Sequence, residues 1–195
     1  MPADDTFLTL ESQHTALLLI DIQEKLAAVM HDREKLVQGL LKLVAGVQAL
    51  DIPILWVEQN PTRMGPTIAE LHELLTPAYQ PVAKMHFSCC GAPQCMDTLR
   101  ALGRKQILIA GIETHVCVYQ TACHLLAQAY QVQVVVDATA SRKQLDVDIA
   151  LRRLQFVASA YEQAIPPLTT VEAALFELMQ TAEHPAFRDI LTIIR

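Results

Sequence analysis

The stretch Gln106-Ile-Leu-Ile-Ala-Gly-Ile-Glu-Thr-His-Val-Cys117 decides the fold, because an apolar run ends at Gly111 and an amphipathic segment follows within a few residues. This pattern predicts a strand, a tight turn and a helix, with Cys117 near the first turn of the helix. The unpaired backbone N–H groups and the positive end of the helix dipole favour a thiolate there, and the thiolate is the nucleophilic form of cysteine. The alternative is a buried structural cysteine, since free cysteines are among the most buried residues.

Two polar residues upstream also end strand-like runs. The run Thr15-Ala-Leu-Leu-Leu-Ile stops at Asp21, and Pro81-Val-Ala stops at Lys84. Continuous apolar residues are typical of a strand that is covered on both faces of a parallel sheet, and such sheets bind ligands at the carboxyl ends of their strands. Taken singly, Asp21 could equally be an N-cap or a solvated strand end, and a lysine such as Lys84 is more often a surface charge.

A parallel sheet brings the acid, the amine and the thiol to one edge, where their chemistry is coherent. A nearby ammonium group lowers a thiol pKa below its free value of ~8.5, because it stabilises the anion. A carboxylate accepts the thiol proton, holds the lysine and later activates a water molecule. The sequence therefore predicts a nucleophilic site made of Asp21, Lys84 and Cys117.

Strand and helix patterns alternate along the chain of 195 residues, which predicts right-handed βαβ units in one domain, 1–195. The expected fold class is α/β: a three-layer αβα, Rossmann-like architecture with a six-stranded, mostly parallel, doubly wound sheet. Strands are predicted at 16–20, 53–57, 81–84, 106–110, 132–136 and 157–161. Helices are predicted at 33–50, 94–102, 115–129, 146–155, 169–181 and 185–194.

Three local patterns carry further expectations. The stretch 59–77, which contains three prolines, is predicted to be an irregular loop that forms a pocket wall or a subunit interface. Thr169-Thr-Val-Glu172 resembles a capping box that opens the second-to-last helix. The apolar residues of the last helix, which include Phe187 and Ile190, need a partner in the chain's own core or in a neighbouring subunit.

Composition excludes several classes of function. The formal net charge is −6, and no basic cluster exceeds two adjacent residues, which argues against nucleic acid or an anionic membrane as a partner. No apolar run reaches 18 residues, and the first 15 residues lack the features of a signal peptide, so we expect a cytoplasmic protein. The five cysteines lack framework spacing and C-x-x-C pairs, so we expect reduced thiols and no metal, with Cys89, Cys90 and Cys95 in the core or a pocket wall.

Four segments of this chain together resemble the isochorismatase-like cysteine hydrolase superfamily, over most of the length of the chain. They are Leu17–Gln23, Lys84–Ser88, Gly111–Val118 and Asp137–Ser141, of which the segment with the nucleophile is the most specific. The resemblance implies the six-stranded αβα fold and assigns the family's Asp–Lys–Cys triad to Asp21, Lys84 and Cys117.

The resemblance also implies the geometry of the nucleophile turn. A cis peptide bond is expected at Ile112–Glu113, and the N–H group of Cys117 with an amide near Glu113 is expected to form an oxyanion hole. Glu113 and His115 are either substrate-binding, solvent-facing or interfacial. The candidate substrate-binding residues are Gln23, Trp56, Phe87, Glu113, His115 and Tyr119.

The stretch after the second predicted strand departs from the metal-dependent nicotinamidases of this superfamily. Those enzymes place an aspartate and histidines there, whereas the corresponding stretch of this chain, from Trp56 onward, has no histidine before His72. Isochorismatases proper cleave an enol ether without a cysteine nucleophile, so an intact Cys117 favours acyl transfer. We expect a metal-free, cofactor-free enzyme that hydrolyses a small-molecule carboxamide through a thioester, and a homo-oligomer, dimer or higher. The alternatives are a thiol redox sensor and a non-catalytic oligomeric binding protein.

Overall fold

The central feature of the computed structural model, which describes residues 8–76, 78–161 and 163–195, is a six-stranded sheet. All of its strand pairs are parallel, and their order is β3-β2-β1-β4-β5-β6. This arrangement confirms the predicted doubly wound parallel sheet. The strands are β1 (Thr15–Ile20), β2 (Ile54–Gln59), β3 (Val82–Lys84), β4 (Gln106–Ile112), β5 (Gln131–Ala140) and β6 (Leu168–Thr169).

The two central strands, β1 and β4, are buried at every position. Their side chains alternate between two apolar clusters on opposite faces of the sheet. Leu17 and Leu19 pack into one cluster, whereas Leu18 and Ile20 pack into the other. Both faces of the sheet are therefore covered, which explains why the sequence of β1 is apolar without alternation.

Helices cover the two faces of the sheet and complete the predicted three-layer αβα arrangement. Helices α2, α4, α8 and α9 contribute to the first cluster, and α5, α6 and α7 contribute to the second. The bounds are α1 (Glu24–Ala27), α2 (Arg33–Ala49), α3 (Pro61–Met64), α4 (Ala69–Leu75), α5 (Pro93–Leu102), α6 (Tyr119–Leu126), α7 (Gln144–Ala160), α8 (Val171–Met179) and α9 (Phe187–Ile194).

The last helix finds its partner within the chain. Ile190 of α9 is fully buried in the first cluster, where α9 packs against α2. The Nζ atom of Lys42 in α2 also donates to the carbonyl oxygen of Ile194 at 2.8 Å. Phe187, Ile193 and Ile194 pack against the same cluster and stay partly exposed, so the chain's own core is at least one partner of α9.

Three local predictions differ from the structure. Residues 157–161 are not a strand, because α7 extends to Ala160 with Leu154 and Ala158 facing inward one turn apart; the sixth strand is β6. The stretch 59–77 is not wholly irregular, since it contains α3 and α4, and its Pro77 lies outside the described residues. The cap of α8 is shifted by one residue, because Thr170 accepts a hydrogen bond from the N–H group of Ala173 at 3.2 Å.

Gly111 allows β4 to approach β1 closely at the edge where Asp21 follows. Its φ angle is +124°, and a Cβ atom at this position would lie 2.1 Å from the carbonyl oxygen of Ile20. The pairing of β4 with β5 shifts register between Ile109 and Gly111, which indicates a β-bulge. Bulges are frequent next to active sites. A glycine at 111 is therefore required to place the end of β4 next to Asp21.

Candidate active site

Asp21, Lys84 and Cys117 converge at the carboxyl edge of the sheet. Asp21 directly follows β1 with a left-handed φ of 56°, Lys84 ends β3, and Cys117 lies in the turn after β4. The Nζ atom of Lys84 donates to Oδ2 of Asp21 at 2.7 Å, and both side chains are fully buried. The Cys117 thiol interacts with the same carboxylate. The structure thus brings together the three residues that the strand ends predicted.

The Lys84 ammonium group is held by oxygen atoms from three segments of the chain. Besides Asp21, Nζ donates to Oε1 of Gln59 at 2.8 Å, to the carbonyl oxygen of Phe87 at 3.0 Å and to that of His86 at 3.3 Å. Burial alone would lower the pKa of Lys84, but the attraction of Asp21 raises it above its usual value. Lys84 is therefore a fixed positive charge at neutral pH.

The Asp21 carboxylate has one occupied and one available oxygen atom. Oδ2 accepts the hydrogen bond from Lys84, whereas Oδ1 has no hydrogen-bond partner of standard geometry among the residues that the structure describes. Burial raises the pKa of Asp21, and the charge of Lys84 opposes that rise. A carboxylate with a raised pKa and a free lone pair beside a thiol is suited to accept a proton.

The Cys117 thiol is neutral in the unliganded site, contrary to the thiolate that the helix-dipole argument favoured. Burial, followed by the negative charge of Asp21, raises the pKa of Cys117 to about 12, although Lys84 opposes this effect. The dipole argument was wrong because it omitted burial and the adjoining carboxylate. Cys117 is 6% exposed, so a small part of its surface is open to a reactant.

This protonation state predicts slow alkylation of Cys117 at neutral pH. Iodoacetamide reacts with the thiolate, and the pKa is raised, so labelling of Cys117 should increase toward pH 12 with a midpoint above the ~8.5 of a free thiol. Peptide mass spectrometry across the neutral and alkaline range measures this directly, with N-acetylcysteine as the reference. A midpoint below that of the reference would show that the thiol is ionised at rest.

The turn that carries Cys117 has an unusual backbone held by β5. The Ile112–Glu113 peptide bond is cis, at the position that the resemblance implied. A π-helical turn, Thr114–Val118, precedes α6, and such turns are frequent at functional sites. Thr139 of β5 binds this turn, since its Oγ1 donates to the carbonyl oxygen of Gly111 at 2.7 Å and lies 3.0 Å from Oγ1 of Thr114.

Glu113 and His115 engage the segment that follows β5. Oε2 of Glu113 accepts a hydrogen bond from Nε of Arg142 at 2.9 Å, and Nδ1 of His115 lies 2.9 Å from Oγ of Ser141. The backbone amide of Glu113 interacts with the sulfur atom of Cys117 and opposes the rise in its pKa. Both side chains therefore fasten the nucleophile turn in the unliganded protein.

Gln23 and Trp56, two of the residues predicted to bind substrate, are buried and hydrogen-bonded within the protein. Gln23 is fully buried, where its Nε2 donates to the carbonyl oxygen of Gly65 at 2.6 Å and its Oε1 accepts from the N–H group of Gln59 at 2.7 Å. Trp56 is 1% exposed, and its Nε1 donates to Oγ1 of Thr67 at 2.8 Å. Their hydrogen bonds bind the 59–68 stretch to the sheet. A contact of either residue with substrate stays a prediction.

Phe87 and Tyr119 lie on different sides of the site. The Phe87 ring is 55% exposed on the rim of a groove of about 660 Å³ that runs along α6 past Gln120 and His124. Tyr119 instead faces α7, where the guanidinium group of Arg153 lies 4.5 Å from the centre of its ring. Phe87 therefore remains a candidate for contact with a substrate, whereas the Tyr119 ring is occupied by Arg153.

The remaining cysteines are free thiols. Cys89 is buried, interacts with Cys95 and lies close enough to Lys84 to affect its pKa, while Cys90 and Cys123 are partly exposed. No cluster of three histidine, cysteine or carboxylate side chains suited to a metal ion occurs within residues 8–76, 78–161 and 163–195. Cys89 and Cys95 lie in the second apolar cluster, and Cys90 lines the groove beside Phe87.

Two residues that hold the site were not identified from the sequence. Gln59 binds Lys84, and the buried Glu58 accepts hydrogen bonds at 2.8 Å from both the N–H group and Oγ1 of Thr67. Both residues end β2, which lies between β1 and β3. The carboxyl-edge rule that selected Asp21 would also have selected them, had it been applied to β2.

Comparisons with known proteins agree with this geometry. A profile of the Isochorismatase domain matches residues 15–171. Isochorismatase domain-containing protein 2A of Mus musculus is 36% identical over 184 residues, which are 94% of this chain and 84% of the mouse protein. A secreted isochorismatase effector of Phytophthora sojae is 32% identical over 187 residues, which are 93% of this chain and 85% of that protein.

A solved structure gives the same result at the level of the fold. The structure of MAR1 ribonuclease from Caenorhabditis elegans superposes with a TM-score of 0.85 and 33% sequence identity, covering 95% of this chain and 92% of that one. These matches define the class of protein, and the parallel sheet agrees with them. This chain belongs to the isochorismatase family of hydrolases, which has an α/β fold. The resemblance seen in the four sequence segments is thereby confirmed.

Nothing in the described part of the chain has the length and apolar character of a membrane-crossing helix. The relative from Phytophthora sojae is named as secreted. The cytoplasmic location expected from the sequence therefore stays a prediction.

Proposed function

We propose that this chain hydrolyses the C–N bond of a small-molecule carboxamide through a thioester on Cys117, without a metal or a cofactor. One observation carries the proposal. The Cys117 thiol interacts with a buried carboxylate, that of Asp21, whose Oδ2 accepts a hydrogen bond from Lys84. A nucleophile, a base and a fixed cation in contact are the components that acyl transfer requires.

In the first half of the reaction, the sulfur atom of Cys117 attacks the carbonyl carbon while Asp21 accepts the thiol proton. The raised pKa of the thiol means that this proton moves as the C–S bond forms and not before the substrate binds. The C–N bond then breaks, and the departing nitrogen takes the proton from Asp21. Ammonia or an amine leaves, and a thioester to Cys117 remains.

In the second half, water attacks the thioester and gives one proton to Asp21. The C–S bond breaks, the carboxylic acid leaves, and the sulfur atom of Cys117 recovers its proton from Asp21. Lys84 is protonated when the reaction begins, because the Asp21 carboxylate raises its pKa against the effect of burial, and its charge stabilises both the carboxylate and the developing thiolate. The net reaction consumes one water molecule per amide.

The oxyanion that forms in each half needs hydrogen-bond donors. The backbone N–H groups of Cys117 and Glu113 are the candidates, and the contact between the Glu113 amide and the sulfur atom supports the second of them. A missing donor in such a site costs about 10²–10³ in rate. The exposed ring of Phe87, next to a carbonyl that binds Lys84, is the proposed contact for the body of the substrate.

Ribonuclease activity, which the name of the Caenorhabditis elegans protein states, is not favoured here. The formal net charge of this chain is −6, and no more than two basic residues are adjacent in its sequence. The sugar-phosphate backbone of a nucleic acid is bound mainly by lysine and arginine side chains. The redox-sensor alternative is also less favoured, since a thiol with a pKa of about 12 is poorly susceptible to peroxide.

A panel of substrates tests the proposed reaction. Small aliphatic and aromatic carboxamides are assayed for release of ammonia, with an enol ether and a single-stranded RNA measured in parallel. The proposal expects hydrolysis of at least one carboxamide and of neither comparison substrate. Cleavage of the enol ether or the RNA without amide hydrolysis would contradict it.

A further inference from the structure

The outer face of α7 carries an exposed apolar stripe. Leu145 is 67% exposed, Ile149 is 45% exposed and Phe156 is 78% exposed. With Arg152 they follow the spacing i, i+4, i+7 and i+11, so they line one side of the helix, opposite its buried face. A continuous apolar stripe on an exposed helix marks an interaction surface more often than singly scattered apolar residues do.

A depression lies beside this stripe. It has a volume of about 430 Å³ and is lined by Tyr119, Arg152, Arg153, Phe156 and Val157. Its lining combines aromatic and aliphatic side chains with two arginines, of which Arg153 places its guanidinium group over the Tyr119 ring. This shape fits an aliphatic side chain next to a carboxylate.

The charges on the stripe are complementary to themselves. Asp148 and Arg152 are both exposed and lie one turn apart on the outer side of α7, where Oδ1 of Asp148 also accepts a hydrogen bond from Nε2 of Gln144 at 2.8 Å. When two copies of α7 pack antiparallel around a two-fold axis, residues whose numbers add to about 300 lie opposite each other. Asp148 then meets Arg152 of the second copy, and Leu145 meets Phe156 of the second copy beside the depression.

We propose that the α7 face, defined as Leu145, Asp148, Ile149, Arg152 and Phe156, binds the same face of a second copy of this chain. The contact is isologous, so each charge pair and each apolar pair forms twice. This surface differs from α9, which the sequence had suggested and which packs against the chain's own core. The α7 face therefore supplies the interface of the expected homo-oligomer.

Complementary charge reversals test the contact. In Asp148→Arg, two arginines face each other twice across the axis, and in Arg152→Asp two aspartates do so; each variant alone should self-associate at least about tenfold more weakly than the wild type. An equimolar mixture restores two opposite-charge pairs, so heterodimers should form. Sedimentation velocity over a dilution series measures both effects. Association of the mixture cannot come from contacts within a single α7 helix. Each variant still has two like charges at positions 148 and 152 of its own helix, and these repel each other.

An apolar variant completes the experiment. Phe156→Asp should weaken self-association by at least about tenfold, whereas Leu8→Ser, which changes another side chain that is 73% exposed, should leave it unchanged. Circular dichroism confirms that each variant is folded. A wild-type chain that stays monomeric at the highest concentration measured would overturn the proposal, as would failure of the mixture to associate or an assembly that Phe156→Asp does not alter.

Discussion

Cys117→Ala should lower kcat/KM for any carboxamide that the wild-type protein hydrolyses by at least about 10⁴-fold, because it removes the atom that forms the thioester. The remaining groups, Asp21 and Lys84, provide a base and a cation but no nucleophile. The substitution removes only the sulfur atom from a buried side chain, so the loss of volume is small and the variant should fold. Ammonia release under saturating amide, with the fold checked by circular dichroism, gives the measurement.

Cys123→Ala is the matched control for this variant. Cys123 is a partly exposed free thiol on α6, six residues after Cys117, and it has no contact with the Asp21–Lys84 pair. The same substitution there should leave kcat/KM within about twofold of the wild type, as expected for a thiol that acts at no step. Turnover that survives in Cys117→Ala, or that is lost equally in Cys123→Ala, would refute the assignment of the nucleophile.

Lys84→Ala should abolish hydrolysis and also lower stability markedly. It leaves the buried Asp21 carboxylate without its cation, and removing one partner of a buried ion pair typically costs about 3–5 kcal/mol. For a chain of this length that corresponds to a fall in Tm of roughly 6–20 °C. Differential scanning calorimetry and the amide assay measure the two effects.

Two further variants separate charge from structure in this experiment. Lys25→Ala removes an exposed lysine whose Nζ donates to the carbonyl oxygen of Arg63, and it should change neither Tm nor rate appreciably. The double variant Asp21→Asn with Lys84→Met removes both buried charges, so it should regain part of the lost stability but none of the activity. A Lys84→Ala variant with wild-type Tm and rate would show that the pair is not required.

The fold could be predicted from the sequence to a large extent because its two central strands, β1 and β4, are fully buried. Runs such as that of β1 are typical of a strand that is covered on both faces, and alternation with helices leaves a parallel sheet as the expected topology. The error at 157–161 has a physical cause, since a short apolar run gives the same signal in a strand and in the last turns of a helix. The interpretation of 1–195 as a single domain stays a prediction.

The positions of Asp21, Lys84 and Cys117 followed from one rule, that the carboxyl ends of parallel strands share an edge. The rule gives no side-chain orientation, which is why Gln23 and Trp56 were expected in the pocket and are buried in the interior. Protonation was also beyond the sequence, because the pKa of Cys117 depends on its burial and on the carboxylate beside it.

The interface on α7 illustrates the same limit on another surface. The helix is apolar on more than one side, with Val147, Ala150 and Leu154 buried and Leu145, Ile149 and Phe156 exposed. Spacing alone does not show which of two apolar stripes faces the sheet. The packing of α7 decides this, and only then does the charge pattern of the outer stripe become informative.

The proposed reaction requires a thioester on Cys117 as a covalent intermediate, and intact-protein mass spectrometry detects it directly. The protein is mixed with a hydrolysed carboxamide, quenched in acid during turnover and weighed, and the modified peptide is located by fragmentation. A thioester intermediate gives a mass increase equal to the acyl group less one hydrogen atom, which we expect on Cys117 and not in Cys117→Ala. Sustained hydrolysis with an unmodified Cys117, or with the acyl group on another residue, would contradict it.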